Sequence, residues 1–467
     1  MSAVPNHWAQ VAISEVAQII SGGTPPSKDE RCFSPPGQGI PWLTPADLSG
    51  YKKQVISHGS RDLSPFGLSS CSAKVMPTGS VLFSSRAPIG YVAIAGNPIS
   101  TNQGFKSFIF PAHFDSRFAY YQLKHIKPVA EAMATGTTFK ELSGSAAAKL
   151  PFLVAPRDEQ KRIADKLDTV LTRVDAVNAR LARVTPLLKR FRQSVLAAAT
   201  SGRLTEDWRL SFTDQNAADD LLRNLELRAK SEKKVPAAPD MTHWKKVIPP
   251  TWTVASVHQF AECLDRLRIP IKRDARKSEL GLYPYYGANG EVGRIDEYIF
   301  DDELVLVTED ETFYGREKPI AYRSSGKCWV NNHAHVLRAP SKEANDYLCY
   351  SLMYYDVIPW LSGTTGRAKL TQQALNALPI AVPPAQEIAE IVQRVETLFA
   401  FADRLEARLQ AARTAAERLT PALLAKAFRG ELVPQDPHDE PAAELLKRLA
   451  AGVPATTKRR GRPAKAA

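Results

Sequence analysis

Five cysteines in 467 residues, no two of them spaced as CxxC, leave little from which to build a zinc site or a disulfide framework. Cys32, Cys71, Cys263, Cys328 and Cys349 are odd in number and scattered, the pattern of reduced thiols in a cytoplasmic protein. No apolar run reaches the roughly 18 residues of a membrane span. Met1 to Val16 carries Asn6, His7 and Glu15 where a leader would carry a basic stretch and then an apolar core. Neither secretion nor membrane insertion is expected. A Gly-rich phosphate loop ending in Lys-Ser or Lys-Thr is also missing, so no ATP-driven motor of that kind is expected.

Other catalytic signatures are missing too. Ser34-Pro-Pro-Gly37 and Val382-Pro-Pro-Ala385 lack the amide or carboxylate, and the stacking ring, of an amino-methyltransferase tetrad. No Asp-x-Glu/Gln-x-Lys nuclease signature falls in a credible strand. His333 and His335 fall on one face of a strand and could ligate a metal, but no third ligand is near in sequence. A structural or DNA-contacting role is expected for them, and no metal. Asp301-Asp302 and Glu309-Asp310-Glu311 are read as shaping loops rather than as acid and base. No catalytic residue is assigned.

What is present is positive charge and length. Lys and Arg outnumber Asp and Glu by 61 to 49, a net +12 that favours a polyanionic partner, nucleic acid above all. With 44% hydrophobic residues the chain can fill two or three cores of ordinary size.

The strongest pattern is internal. Shifted by 228 positions, the chain aligns with itself without a gap: Leu150, Pro151, Val154, Pro156, Glu159 and Ile163 fall on Leu378, Pro379, Val382, Pro384, Glu387 and Ile391. Further on, Thr169, Asp175, Arg180, Leu196, Gly202 and Leu204 meet Thr397, Asp403, Arg408, Leu424, Gly430 and Leu432. Within this repeat Ile163, Leu167, Val170, Val174, Val177, Leu181, Val184, Leu188, Phe191 and Val195 alternate spacings of four and three, the seam of a coiled-coil helix. The second copy, from Ile391 to Leu423, keeps the seam with smaller residues such as Ala402, Ala412 and Ala416. Each seam should span roughly 50 Å at about 1.5 Å per residue. Two amphipathic helices buried in separate cores are the alternative. Gly202 and Gly430 supply C-terminal stops. Pro186 and Pro421, inside the patterns, predict a kink or break in the last third of each helix.

Ahead of each helix lies a segment rich in Gly, Pro and aromatics, with β-like runs at Ser80–Phe83, Tyr91–Ala95, Lys106–Phe110, Glu303–Val307 and Val336–Leu337. Both segments open on a tryptophan, Trp8 and Trp252, and close on Gly-Thr-Thr, at Gly136 and Gly363; between these ends they diverge. A polar linker with a short amphipathic helix follows each long helix, at Ala217–Leu227 and Ala442–Leu449. The expected divisions are 1–155, a mainly β domain; 156–202, a long helix; 203–247, a linker; 248–384, a second mainly β domain; 385–430, a second long helix; and 431–467, a tail.

This order resembles the specificity subunit of type I restriction-modification systems. Gly79-Ser-Val-Leu-Phe-Ser-Ser-Arg-Ala-Pro-Ile-Gly90 with Thr101-Asn-Gln-Gly104 is similar to that family's core strand pair. Tyr283-Pro-Tyr-Tyr-Gly287 with Gly290, and Trp329-Val-Asn-Asn-His-Ala-His335, are similar to another version of the same domain. The motifs Leu150-Pro-Phe to Glu159-Gln160 and Leu378-Pro-Ile to Gln386-Glu387 precede the helices as in the family, although Glu387-Ile388 replaces the Glu-Gln pair. The resemblance implies an α+β fold: two mainly β target-recognition domains separated by two long helices in an antiparallel coiled coil with a pseudo-twofold repeat.

It further implies no enzyme activity in this chain. Each domain would read half of an asymmetric, bipartite site in double-stranded DNA while the helices set the gap. Methyltransferase subunits, two of them expected, and restriction/translocase subunits would be the partners. S-adenosylmethionine, ATP and Mg2+ would be bound by those partners, and the chain itself would hold no cofactor. A self-contained enzyme with an unrecognised site and a protein-only coiled-coil adaptor are the competing readings; the basic balance and the duplicated β-rich domains argue against the adaptor.

Base reading needs forked donors and amides, and phosphate anchoring needs Lys, Arg and hydroxyls. The first domain offers Ser85, Arg86, Tyr91, Asn102, Gln103, Lys106, Thr137, Thr138 and Lys140. The second offers Tyr285, Asn289, Arg294, Arg316, Asn331, Asn332, His333, Thr364, Thr365, Arg367 and Lys369. In the tail, Arg460-Gly461-Arg462 resembles an AT hook, whose glycine allows close approach to a narrow minor groove; a plain solvated basic tail is the alternative.

Overall fold

A computed structural model describes residues 4–86, 88–136, 140–211, 238–271, 281–310, 313–364 and 368–451. The two repeated seams form two helices of equal length, Arg157–Ala199 and Ala385–Ala427. Each starts just after a proline, Pro156 or Pro384, with acidic residues in the first turn that suit the positive end of the helix dipole. Past each end a glycine takes up left-handed backbone, Gly202 at φ +78° and Gly430 at φ +75°. The expected break at the prolines does not occur: both helices run unbroken through Pro186 and Pro421. Beyond Pro186, Leu188 and Val195 remain buried, as do Leu424 and Ala427 beyond Pro421, and that packing offsets a lost backbone bond and ring clash costing about 3 kcal/mol.

The chain packs as two compact units, and the division falls inside the long helices instead of at their ends. Unit 1 comprises residues 1–181 and 411–467, and unit 2 comprises 182–410. Each unit therefore takes one β-rich domain and about half of each helix. The expected boundaries at 155 and 384 follow the secondary structure, but the helix halves bury their apolar faces against the domains.

In unit 1 the strands are β1 (Ala9–Ala12), β2 (Gln18–Ser21), β3 (Phe33–Ser34), β4 (Ile40–Leu43), β5 (Val55–Ile56), β6 (Arg61–Leu63), β7 (Val81–Phe83), β8 (Val92–Ala95), β9 (Ser100–Thr101), β10 (Lys106–Ile109) and β11 (Pro151–Val154). They form a five-stranded sheet ordered β2-β10-β7-β8-β5, a four-stranded sheet β3-β6-β4-β9, and the antiparallel pair β1-β11. Phe83, Phe108, Phe118 and Phe152 share one core with Ile163 and Leu167 of the first helix, Leu424 and Ala427 of the second, and Phe428 just past its end. Each large side chain so buried contributes roughly 1.5–3 kcal/mol. Arg117 ties the domain to the first helix through Asp165 at 2.7 Å and Asp168 at 2.9 Å. The short helix expected near 442–449 runs Ala442–Ala451 and seats Ala442 and Leu445 in the same core.

Unit 2 holds β12 (Thr253–Ser256), β13 (Glu262–Cys263), β14 (Tyr283–Gly287), β15 (Gly290–Ile295), β16 (Phe300–Thr308), β17 (Ala321–Val330), β18 (Ala334–Arg338) and β19 (Pro379–Val382). Its main sheet is six-stranded, β13-β18-β16-β17-β14-β15, beside the pair β12-β19. That pair repeats β1-β11: Ala9 faces Val154 in one and Thr253 faces Val382 in the other. Val195, Leu196 and Ala199 of the first helix join Ile388, Ile391, Val392 and Val395 of the second in the core.

Within each unit the start of one helix lies beside the end of the other, so the pairing is antiparallel. In unit 1 the Arg413 guanidinium donates to the Leu181 carbonyl at 3.2 Å, and in unit 2 Arg192 pairs with Asp403 and with Glu406 at 3.0 Å. Most seam residues are buried or half-buried, whereas Ala412 is exposed and Val177 and Leu419 stand 44% and 45% exposed. All five cysteines are free. The helix expected at Ala217–Leu227 lies outside the described residues.

Candidate nucleic-acid interface

The middles of the two domains, which diverge in sequence, share a backbone junction where three segments meet. In unit 1 these are the residues after β7, the turn before β10, and the loop after Gly136. Ser85 donates its N–H to the Gly104 carbonyl at 2.7 Å and accepts from Leu142 at 2.9 Å. In unit 2 Glu309 donates to the His333 carbonyl at 3.0 Å and accepts from Leu370 at 2.8 Å.

The turns also match. Asn102 Oδ1 accepts from Gly104 N–H at 2.9 Å, and Asn331 Oδ1 accepts from His333 N–H at 2.8 Å. The loops close alike, Thr135 with Glu141 and Ser362 with Lys369, by reciprocal backbone bonds of 2.9–3.1 Å. A β-bridge then joins Arg86 to Glu141 in one unit and Asp310 to Lys369 in the other. Each loop ends at a hydroxyl that caps the next helix, Ser143 or Thr371.

The side chains at these matched places differ. In unit 1 Glu141 faces two cations at a distance, Arg86 at 3.6 Å and Lys106 at 3.9 Å, both beyond hydrogen-bond length. Burial lowers the Lys106 amine from its ordinary value against the attraction of Glu141, and Arg86 lowers it further. Ser85 is fully buried and its Oγ has no partner among the described residues. Gln103 is exposed and accepts from the Thr24 hydroxyl. Tyr91 is half-buried beside the Ser84 hydroxyl, and Lys140 is exposed.

In unit 2 the polarity is reversed and the pairing is tight. Lys369 Nζ sits 2.6 Å from Glu309, which also accepts from Arg268 at 2.5 Å. His333, half exposed, pairs with Asp310 at 2.7 Å. Asn289 accepts from Arg316 at 2.7 Å, and the Arg316 guanidinium also donates to the Pro319 carbonyl at 2.9 Å. Arg294 donates to the Gly281 and Leu282 carbonyls at 2.9 and 2.8 Å. Asn332 and Thr364 are exposed. Tyr285 and Asn331 are buried, at 1% and 4% exposure, which puts them inside the domain rather than on its surface. Thr137, Thr138, Thr365, Arg367, Arg460, Gly461 and Arg462 lie outside the described residues.

Sequence reasoning overlooked the acidic partners Glu141 and Asp265 and the cation Arg268. Asp265, Glu309 and His335 cluster closely enough to suggest a metal site. Yet both ring nitrogens of His335 already face acceptors, Asp265 at 2.6 Å and the Leu370 carbonyl at 2.7 Å, which leaves neither lone pair for an ion. Arg268 and Lys369 occupy the Glu309 carboxylate. Burial opposes ionisation of Asp265 and Glu309, but His335 for the first, and Lys369 with Arg268 for the second, hold both carboxyls below their ordinary values. The expected loop-shaping role of Glu309 and Asp310 fits these contacts; Glu311 lies outside the described residues.

A family model described as "Type I restriction modification DNA specificity domain" matches residues 5–185 and 249–412. The chain is 26% identical to the EcoKI specificity subunit of Escherichia coli K12 over 96% of both chains. It is 36% identical to the MjaIX specificity subunit of Methanocaldococcus jannaschii over 35% of this chain and 38% of that subunit. Among solved structures it resembles the HsdS subunit of Thermoanaerobacter tengcongensis at TM-score 0.54 and 18% identity, over 92% of this chain and 98% of that one. A chain from a structural study of assembly and conformational transition in a type I system gives TM-score 0.59 at 17% identity, over 92% and 100%. At such identities the structural likeness speaks to the fold.

Proposed function

Because this chain belongs to the type I restriction-modification DNA specificity family, we propose that it is the non-catalytic reader of such a complex. Each unit contacts one half of an asymmetric, split site in double-stranded DNA, and the long helices set the gap and dock methyltransferase subunits. The observation that carries this reading is the junction present twice: one backbone frame carries Arg86 bridged to Glu141 in unit 1 and Asp310 bridged to Lys369 in unit 2. A frame kept while its charges invert suits two sites that read different bases. S-adenosylmethionine, ATP and Mg2+ belong to the partner subunits in this scheme, and restriction/translocase subunits join through the methyltransferases. The basic tail around Arg460-Gly461-Arg462 adds affinity rather than base choice.

The test is reconstitution. The purified chain alone should neither methylate, cleave nor hydrolyse ATP, and adding its modification subunits should yield methylation at one split motif. Turnover by the pure chain, lost on changing one of its own residues, would overturn this reading in favour of a self-contained enzyme.

A further inference from the structure

In unit 1 the bridge that closes the junction carries two partly exposed side chains, Arg86 at 34% and Glu141 at 43%, above Lys106 at 10%. Their charges do not hold the loop in place: four backbone bonds, from Leu142 to Ser85, between Thr135 and Glu141, and from Ser85 to Gly104, already do so. The charges pair only loosely, as ion pairs at 3.6 and 3.9 Å that are too long for hydrogen bonds. Beside them Ser85 Oγ is buried with no partner among the described residues. Unit 2, on the same frame, satisfies its loop cation directly, with Lys369 on Glu309 at 2.6 Å. Unit 1 thus presents a fork of donors next to an acceptor, both awaiting better partners.

We propose that Arg86 and Glu141 form a donor–acceptor pair that reads one G·C base pair from the major groove, an assignment that rests on the DNA-reading role given above. Along that edge guanine offers two acceptors, N7 and O6, and cytosine then offers the N4 amino donor. The Arg86 fork meets the two acceptors and the Glu141 carboxylate receives the amino hydrogen. An A·T pair puts a donor where the guanidinium expects its second acceptor, and an acceptor where Glu141 expects the donor. Lys106, 3.9 Å from Glu141, offsets part of its charge. Reversed polarity at the matched bridge of unit 2, Asp310 with Lys369, gives that unit a different choice.

The experiment maps methylated motifs for the full chain assembled with its modification subunits, as wild type and as Arg86→Ala, Arg86→Lys and Glu141→Ala. All three variants should relax the same single position, a G·C pair in the half-site of unit 1, by roughly ten-fold or more, leaving the other half-site and the gap untouched. Arg86→Lys keeps the charge and the backbone bridge but cannot fork, so it stays informative should an alanine variant fail to fold. An intact motif with uniformly weaker methylation would overturn the proposal in favour of a phosphate contact. So would relaxation at an A·T pair, or at different positions for the two residues, or full preference kept by Arg86→Lys. A wild-type complex with no site-specific methylation would instead overturn the DNA-reading role itself, and this pair with it.

Discussion

The Trp252 indole donates to the Glu387 carboxylate at 2.8 Å, and the Trp8 indole donates to Glu159 at 2.9 Å. The tryptophan that opens each domain is thus latched to the glutamate in the first turn of the helix that follows it. The latches differ in their other partners. Glu387 also receives Thr205 at 2.6 Å and Arg209, whereas Glu159 has His7 at 2.9 Å and leaves Oε1 without a partner among the described residues.

Glu387→Ala should therefore cost more than Glu159→Ala. The first deprives the largely buried Arg209 guanidinium of its carboxylate and should lose about 3 kcal/mol; the second unpairs only the Trp8 indole and the partly exposed His7 and should lose roughly 1–2 kcal/mol. Urea unfolding of the two variants measures the difference; equal losses would mean that Arg209 adds nothing to its latch.

Acid should loosen unit 2 through Asp265 and Glu309. Their carboxyls lie below the ordinary values of 3.8 and 4.5 in the folded chain, so their stabilisation is complete above those values and is lost as pH falls through the folded ones. Asp265→Asn should cost roughly 2 kcal/mol at neutral pH, and the gap to wild type should close as pH drops below 3.8. Denaturation at pH 7 and at strongly acid pH checks this; a gap independent of pH would deny the carboxylate its role.

Much of this frame was legible in the sequence. The shift that carries Glu159 onto Glu387 and Ile163 onto Ile391 located both helices, and Trp8 with Trp252 marked both domain starts. That each tryptophan bonds its glutamate was not legible, since 151 residues separate Trp8 from Glu159. The matched junctions escaped because the loop from Gly136 to Leu142 is one residue shorter than that from Gly363 to Leu370, and because the charges invert. Asn102-Gln103-Gly104 beside Asn331-Asn332-His333 was the signal that could have found them. Burial of Tyr285 is not legible either, because a tyrosine in an aromatic strand looks the same in sequence whether it faces solvent or a core.

Exchanging residues 1–149 for those of a relative should change one half-site and spare the other, as mapped by methylation. The graft needs a tryptophan where Trp8 stands, because its partner Glu159 remains. Without it the grafted unit should be less stable, by the latch and by the lost burial of the indole. Change in both half-sites would refute separate readers.

The helices as ruler are the central claim, and lengthening them tests it most directly. Seven residues added to each helix where they pass, after Leu181 and after Arg413, keep the heptad register and add about 10 Å to the rod. The motif methylated by the reconstituted complex should keep both half-site sequences while its gap grows by about 3 base pairs, at about 3.4 Å each. An unchanged gap with full activity would contradict the account.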